Sequence, residues 1–294
     1  MKSLKILDLV NEEIISSVSE LPTYYSFVPV DFPINSFVLL HNNSRTIKTL
    51  CKVVALQTLV KVVTPPNTNY FGVGSKDANQ AAFLNCLADK KIKVSICVGE
   101  AGTGKTTLAL AYALQMFSDN KMNLRLSKPT ALVGANNTFG PVPGDVDEKY
   151  APHTISYDMV LRKLLGGRKG YLEVLKKKEV VKFEPVEFTR GNTYENCVFI
   201  LDEAQNLSWH ELKTVVSRIA DNSKMIILGD PAQIDTGKPF EDTGLYRMIN
   251  SNAFNKAPIT SAIQLTRQYR GPLPALISEI DKEISRCNKK NRKE

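Results

Sequence analysis

The segment Gly99–Thr106, with the sequence GEAGTGKT, has the spacing of a loop that binds phosphate groups, G-x-x-x-x-G-K-[ST]. Its glycines leave backbone N–H groups free to surround phosphates, and the N-terminus of a following helix adds partial positive charge. We expect Lys105 to reach the β- and γ-phosphates of ATP and Thr106 to bind Mg²⁺; the alternative is a glycine-rich turn formed by chance. The expected nucleotide-binding residues of this loop are Gly99, Glu100, Ala101, Gly102, Thr103, Gly104, Lys105, Thr106 and Thr107.

Two adjacent carboxylates, Asp202 and Glu203, follow the apolar run Val198–Leu201. A strand that ends in this way would hold Asp202 opposite the loop as a ligand for the hydrated metal. Glu203 would then lie beside the γ-phosphate and orient or deprotonate the attacking water. The alternative is an ordinary strand end followed by a charge at the start of a helix.

A second segment, Ile227–Asp235, repeats this arrangement with the sequence ILGDPAQID. Ligands bind at the carboxyl edge of strands in open α/β sheets, so Gln233 is placed to sense the γ-phosphate or to position water. The alternative is that Asp230 and Gln233 only stabilise a turn and a helix cap.

The elements that must position these residues alternate between short apolar runs and helical patterns, which predicts βαβ units around a mostly parallel sheet flanked by helices. We expect helices from a cap at Asp77 to Ala88, over Thr106–Phe117, and from a capping box at Ser208 and Glu211. The predicted strands are Lys93–Val98, Asn123–Leu126, Cys197–Leu201, Met225–Leu228 and Ile263–Leu265.

Composition shifts divide the chain into three parts. We expect a small β-rich appendage over residues 1–69, a main domain over 70–285 and a basic tail over 286–294. Within the main domain, the stretch Gly166–Glu179 is rich in glycine and lysine and is predicted to be a surface insertion.

The composition favours a globular protein of the cytoplasm with a polyanionic partner. The formal charge is +8 and 43% of the residues are hydrophobic; a basic balance of this kind suits nucleic acid, although nucleotide phosphates or solubility also account for it. Five widely spaced cysteines indicate neither a disulfide framework nor a zinc cluster. No signal peptide and no membrane span are expected.

Four segments together resemble the PhoH-like ATPases, which are relatives of the superfamily 1 helicases: GEAGTGKTTLALA, FGPVPGDVDEKYAPH, RGNTYENCVFILDEAQN and LGDPAQID. The resemblance runs from about Asp77 to Ile284. It implies a RecA-like P-loop NTPase core, ATP hydrolysis, contact with single-stranded RNA or DNA, and homo-oligomers such as a hexameric ring. In such ATPases the loop is the Walker A motif and the acidic strand the Walker B motif.

The resemblance also implies roles for residues outside these motifs. Gln80 resembles the glutamine that reads adenine in helicase-like ATPases, although with Asp77 three residues earlier it could instead complete a helix cap. Arg270 resembles the family arginine that stabilises charge in the transition state, and we expect it to act on ATP bound by a neighbouring subunit. A surface salt bridge is the expected role of Arg267.

This chain departs from the family pattern at two places. Lys128-Pro129 stands where the family has Arg-Pro, and Asn192 stands where it has a second arginine. Lysine and asparagine lack the bidentate hydrogen bonding of arginine to phosphate, so we expect the contact with nucleic acid or between subunits to depart from the family pattern. The first seventy residues, with their crowded acidic residues, do not match the PIN nuclease domain of some relatives, and we expect no nuclease.

Basic residues with aromatic neighbours are candidates for a single-strand track, with the alternative of solvated surface charges. They are Lys121, Arg125, Lys128 and Lys149, with Phe139, Tyr150 and Tyr157 as candidate stacking platforms. His153 and His210 lack a companion at ligand spacing and are not expected to be catalytic.

The functional hypothesis is an ATP-driven motor or switch that acts on single-stranded nucleic acid. The alternative is an ATP-gated scaffold whose hydrolysis resets its assembly state.

Overall fold

The computed structural model describes residues 4–8, 25–26, 32–41, 48–55, 58–61, 70–129, 146–166, 170–237, 239–269, 271, 276 and 280. A small N-terminal sheet comes first, with the strand order β1-β3-β4-β5-β2. Only β1 and β3 pair in parallel; the other neighbours are antiparallel. Its strands are β1 (Leu4–Asp8), β2 (Tyr25–Ser26), β3 (Phe37–His41), β4 (Lys48–Ala55) and β5 (Thr58–Lys61). This sheet confirms the predicted β-rich appendage, while the domain boundaries at 69 and 285 stay predictions.

The main sheet has six parallel strands: β6 (Val94–Gly99), β7 (Asn123–Lys128), β8 (Val181–Pro185), β9 (Cys197–Leu201), β10 (Lys224–Gly229) and β11 (Thr260–Leu265). Their spatial order is β11-β6-β10-β9-β7-β8. All five predicted strands are present and form the five adjacent strands from β11 to β7. Because every strand runs the same way, the carboxyl ends of β6, β9 and β10 lie at the same edge of the sheet.

Helices cover both faces of this sheet, as expected when parallel strands are buried on both sides. Neighbouring residues of β10 belong to different cores: Ile226 packs in one and Ile227 in the other. The helices of the first face are α1 (Ala78–Ala88), α2 (Lys105–Asn120), α3 (Val146–Leu164) and α4 (Tyr171–Lys177). Those of the second face are α5 (Trp209–Val216), α6 (Gly244–Asn250) and α7 (Asn252–Lys256). The predicted α/β fold is confirmed.

The Gly166–Glu179 stretch is not a surface insertion, and that prediction was wrong. Half of it forms α4, and Leu172 and Leu175 are buried in the core of the first face. Gly170 takes a left-handed φ of 76° at the start of the helix, so the glycine serves a turn between packed elements. The following strand β8, which the sequence analysis did not predict, pairs with β7 at the edge of the sheet.

The small sheet packs against the main domain through polar and apolar contacts. Asn35 Nδ2 donates to Pro258 O at 2.7 Å and to Thr260 O at 3.0 Å. Lys52 Nζ pairs with Asp89 Oδ2 at 2.6 Å, and Phe37 lies in the same core as α1 and α2. Across the described ranges, the model contains no helix that is long and apolar enough to cross a membrane.

Candidate nucleotide-binding site

The loop Gly99–Thr106 begins at the last residue of β6 and ends in the first turn of α2. A Cβ on Gly99 would lie 2.5 Å from Leu265 O, so only glycine fits between β6 and β11 at this point. Gly104 is the N-cap of α2 with a left-handed φ of 95°, which other residues adopt only with strain. The loop is therefore an open backbone cradle at the N-terminus of a helix, a geometry that suits an anion.

Lys105 is 9% exposed and lies inside this cradle. Its Nζ donates to the carbonyl of Gly99 and to Glu100 O at 3.0 Å. Asp230, at the end of β10, lies 3.9 Å from the same ammonium group. Burial raises the pKa of Asp230, and the positive charge of Lys105 lowers it in part. The cation thus lies within the loop, where a phosphate could take over its contacts.

Thr106 and Asp202 meet across the site although 96 positions separate them. Thr106 Oγ1 donates to Asp202 Oδ2 at 3.1 Å, and the backbone N–H of Glu203 donates to Asp202 Oδ1 at 2.9 Å. Mg²⁺ prefers oxygen ligands such as hydroxyl and carboxylate groups, and water and phosphate oxygens complete its coordination shell. The described part of the chain holds no group of three or more His, Cys, Asp or Glu residues placed for a metal ion. Thr106 and Asp202 therefore fit a magnesium ion shared with nucleotide phosphates.

Glu203 has a left-handed backbone with a φ of 54°, which is unusual for a residue other than glycine. Burial is the main cause that raises the pKa of its carboxyl, and the neighbouring charge of Asp202 adds to the rise. A hydrogen bond from Gln205 and the charges of Lys128 and Lys105 act in the opposite direction. A carboxylate with a raised pKa accepts protons more readily, as a general base requires.

Gln205 is a residue of the site that the sequence analysis did not single out. It is fully buried, and its Nε2 donates to Glu203 Oε2 at 2.6 Å and to Gln233 O at 2.7 Å. Its Oε1 accepts the backbone N–H of Asp230 at 2.9 Å. One amide therefore joins the candidate base to the loop that follows β10. Its position directly after DEA in the strand-end motif was the available signal, but only the fold shows its partners.

Gln233 borders a polar cavity of about 430 Å³ next to Glu203. This cavity lies at the carboxyl edge of the sheet, where ligands bind in open α/β folds. The Asn206 and Asp235 side chains flank it and bond to each other at 3.1 Å. Its lining residues are Lys128, Pro129, His153, Glu203, Asn206, Ala232, Gln233, Ile234 and Asp235. Gln233 is thus at the predicted edge, joined through its carbonyl to Gln205.

Gln80 is buried behind the loop, and both ends of its side chain are hydrogen-bonded. Its Oε1 accepts the backbone N–H of Lys76 at 2.8 Å, and its Nε2 donates to Thr103 O at 2.9 Å. Its own backbone N–H donates to Asp77 Oδ1 at 2.8 Å, which caps α1. These bonds support the helix-cap interpretation and add a brace on the loop; adenine recognition stays a prediction.

The chain after β11 also runs against the loop. The backbone N–H of Tyr269 donates to Gly102 O at 2.9 Å, and Gln268 Nε2 donates to Glu100 Oε2 at 2.7 Å. Arg267 lies over the ring of Tyr269, 5.5 Å from its centroid, and forms no salt bridge with the residues that the structure describes. The catalytic candidate Arg270, along with Phe139 and the tail 286–294, lies outside the described residues.

The expected single-strand track is not continuous. Lys121 precedes β7 and Lys128 ends it, so the two lysines lie at opposite edges of the sheet, about 20 Å apart at the rise of a strand. Arg125, in the middle of β7, donates to Glu179 O at 2.8 Å. Tyr157 is 4% exposed and therefore cannot stack on a base. Of Lys121, Arg125 and Lys128, only Lys128 lies at the edge that carries the loop.

Comparison with known protein families gives a match over most of the chain. The PhoH-like protein family matches residues 72–280, which is most of the chain. This chain belongs to the PhoH-like protein family. The match covers the loop, both strand-end motifs and the residues after β11 up to position 280.

Curated relatives of this PhoH-like chain come from several bacteria. Protein PhoH2 of Bacillus subtilis is 30% identical over 228 residues, covering 76% of this chain and 51% of the relative. Protein PhoH of Escherichia coli is 31% identical over 164 residues, covering 55% of this chain and 45% of the relative. The chain spans about half the length of the curated relatives it matches.

Proposed function

We propose that this PhoH-like protein hydrolyses ATP in a Mg²⁺-dependent reaction. The observation that carries the proposal is the meeting of Thr106 and Asp202 at 3.1 Å beside the loop, with Glu203 next in the chain. Phosphoryl transfer to water requires a metal-binding hydroxyl and carboxylate and a base that positions the water. Here these groups would be supplied at the ends of parallel strands.

Each side chain has a distinct role in this proposal. The N–H groups of the loop and Lys105 would hold the β- and γ-phosphates, with charge-assisted hydrogen bonds replacing the present contacts of Lys105. Thr106 and Asp202 would hold Mg²⁺, which when bound neutralises negative charge on these phosphates. Glu203 would orient a water molecule and accept its proton, and Gln205 would hold Glu203 in place. Gln233 would report the state of the γ-phosphate to the adjacent loop.

We further propose that hydrolysis is coupled to binding single-stranded RNA or DNA. The net charge of +8 and the position of Lys128 beside the cavity at Glu203 support this coupling. The alternative is an ATP-gated scaffold, in which nucleotide state controls assembly and nucleic acid has no effect on turnover. Adenine reading by Gln80, a ring-shaped homo-oligomer and a cytoplasmic location belong to this proposal as well.

The test is ATPase activity with and without single-stranded RNA or DNA. We expect Mg²⁺-dependent phosphate release that a single strand stimulates, and we expect Lys105→Ala to abolish it because the cation facing the phosphates is lost. Lys121→Ala is the matched control, since it removes an exposed lysine at the opposite edge of the sheet. Activity in Lys105→Ala would exclude this site. Wild-type turnover that no single strand changes would favour the scaffold.

A further inference from the structure

Tyr157 contacts the candidate metal-binding carboxylate but has no role in the proposed reaction. It lies in α3 and is almost fully buried, with its ring stacked 6.0 Å from that of Phe183 in β8 at an interplanar angle of 26°. Its hydroxyl group points out of the apolar core and donates to Asp202 Oδ2 at 3.2 Å. A tyrosine of the first-face core therefore reaches the carboxylate that would bind Mg²⁺.

Three donors from three parts of the chain fix the Asp202 carboxylate. Oδ2 accepts from Thr106 Oγ1 and from the Tyr157 hydroxyl, while Oδ1 accepts from the backbone N–H of Glu203. Thr106 is also the second candidate ligand, and the Glu203 N–H is fixed by the backbone. The Tyr157 hydroxyl is thus the one side-chain donor to Asp202, among those described, that is not itself a proposed ligand.

We propose that Tyr157 is a positioning residue that orients Asp202 for Mg²⁺ and so sets the affinity of the nucleotide complex for the metal. The inference rests on the proposed function. Side chains that hydrogen-bond to metal-binding residues fix the orientation of those residues, and their loss commonly costs 10- to 100-fold in metal affinity. Because Asp202 binds through the same oxygen to Tyr157 and Thr106, rotation of the carboxylate would disturb both metal-binding groups.

Tyr157→Phe tests this inference, because it keeps the ring beside Phe183 and removes only the hydroxyl. Mg²⁺ is titrated into the protein with a fluorescent, non-hydrolysable ATP analogue, and binding of the same analogue is measured in EDTA. We expect the Mg²⁺ concentration for half-saturation to rise about tenfold or more, with unchanged affinity in EDTA.

Two further variants separate orientation of Asp202 from general stability. Tyr194→Phe removes another buried hydroxyl that donates to a carboxylate, Glu184 Oε2 at 2.6 Å, away from the loop. Phe183→Leu removes the stacked ring and keeps the Tyr157 hydroxyl. Both should lower the temperature of unfolding and leave the Mg²⁺ titration as in the wild type.

The outcomes distinguish this inference from the proposed function. If Mg²⁺ does not strengthen nucleotide binding by the wild type, the proposed function falls and the inference falls with it. If the wild type responds to Mg²⁺ but Tyr157→Phe titrates like Tyr194→Phe, only the inference is overturned. A Tyr157→Phe protein that does not fold, or that loses affinity equally in EDTA, also overturns it, because a structural role then accounts for the tyrosine.

Discussion

Glu203 combines a left-handed backbone with a buried carboxylate, and each feature is unfavourable by itself. A non-glycine residue in this conformation costs about 1–2 kcal/mol. Burial beside Asp202 further disfavours the charged form. Gln205 offsets part of this cost with a hydrogen bond to Glu203, and its remaining amide groups are satisfied by the loop after β10. Strain of this kind persists where surrounding contacts determine it, which is common at functional sites.

Replacement of Glu203 by glutamine tests its role as a base. The amide keeps the shape of the side chain but cannot accept a proton, so Glu203→Gln should bind Mg²⁺-ATP normally and lose about 10²- to 10⁴-fold in turnover. Binding is checked with a fluorescent ATP analogue and turnover by phosphate release. A parallel loss of binding and turnover would make Glu203 a metal-binding or structural residue.

The raised pKa of Glu203 predicts the pH dependence of the wild-type enzyme. A base works only when deprotonated, so turnover should fall as the pH drops through this raised pKa, above the ordinary glutamate value of about 4.3. The measurement is kcat against pH at saturating Mg²⁺-ATP. A rate that stays constant down to the ordinary glutamate range would contradict the assignment.

At the scale of elements, α1 connects the small sheet to the loop. Gln80 in its first turn bonds to Thr103 in the loop. At the opposite end, Asp89 pairs with Lys52 of β4, and Lys224 of β10 donates to three carbonyls, those of Cys86, Leu87 and Asp89, at 2.6–3.0 Å. Carbonyls at the end of a helix have no partner within it, so the buried ammonium group supplies the missing donors.

Lys224→Met should therefore destabilise the protein. Methionine fills a similar volume but leaves the buried carbonyls of Cys86 and Leu87 without a donor, whereas Asp89 O still accepts the backbone N–H of Ile92 at 3.1 Å. A buried polar group without a partner costs about 1–3 kcal/mol. We expect the free energy of unfolding in urea to fall by at least about 2 kcal/mol. Lys93→Met is the control, since Lys93 Nζ bonds to one exposed carbonyl, that of Asp221. Equal stability of the two variants would mean that Lys224 contributes little.

The sequence predicted the central strands because their apolar runs are continuous, as burial on both faces demands. It did not predict β8, because Val181–Pro185 is not a continuous apolar run: Lys182 is exposed and the segment ends in a proline. Such a sequence is compatible with an edge strand, which pairs with one neighbour, here β7. Lys105, Thr106, Asp202 and Glu203 were found from local motifs. Gln205 was not found, and Tyr157 was named only as a stacking platform, since their positions depend on contacts between distant segments that no local pattern encodes.

At the scale of the whole molecule, the question is which subunit supplies Arg270 to a given ATP. The sequence alone favours a neighbouring subunit, because a single RecA-like lobe leaves the phosphate side open. The two residues before Arg270 contact the loop of their own subunit: Tyr269 bonds to Gly102 and Gln268 to Glu100. These contacts are the reason to test whether Arg270 acts within its own subunit.

Mixing two inactive variants decides between these arrangements. Lys105→Ala subunits cannot bind ATP productively but keep Arg270, and Arg270→Ala subunits bind ATP but lack the arginine, whose charge can be worth 10³- to 10⁵-fold in rate in P-loop enzymes. If Arg270 acts within its own subunit, each variant alone and any freely exchanging mixture should be equally inactive, and the wild-type rate per subunit should not change with protein concentration. Wild-type protein mixed with Arg270→Ala is the control and should give activity in proportion to the wild-type fraction. Activity recovered in the mixture of the two variants, rising with concentration as assembly by mass action requires, would instead place Arg270 across a subunit interface and make the oligomer the active species.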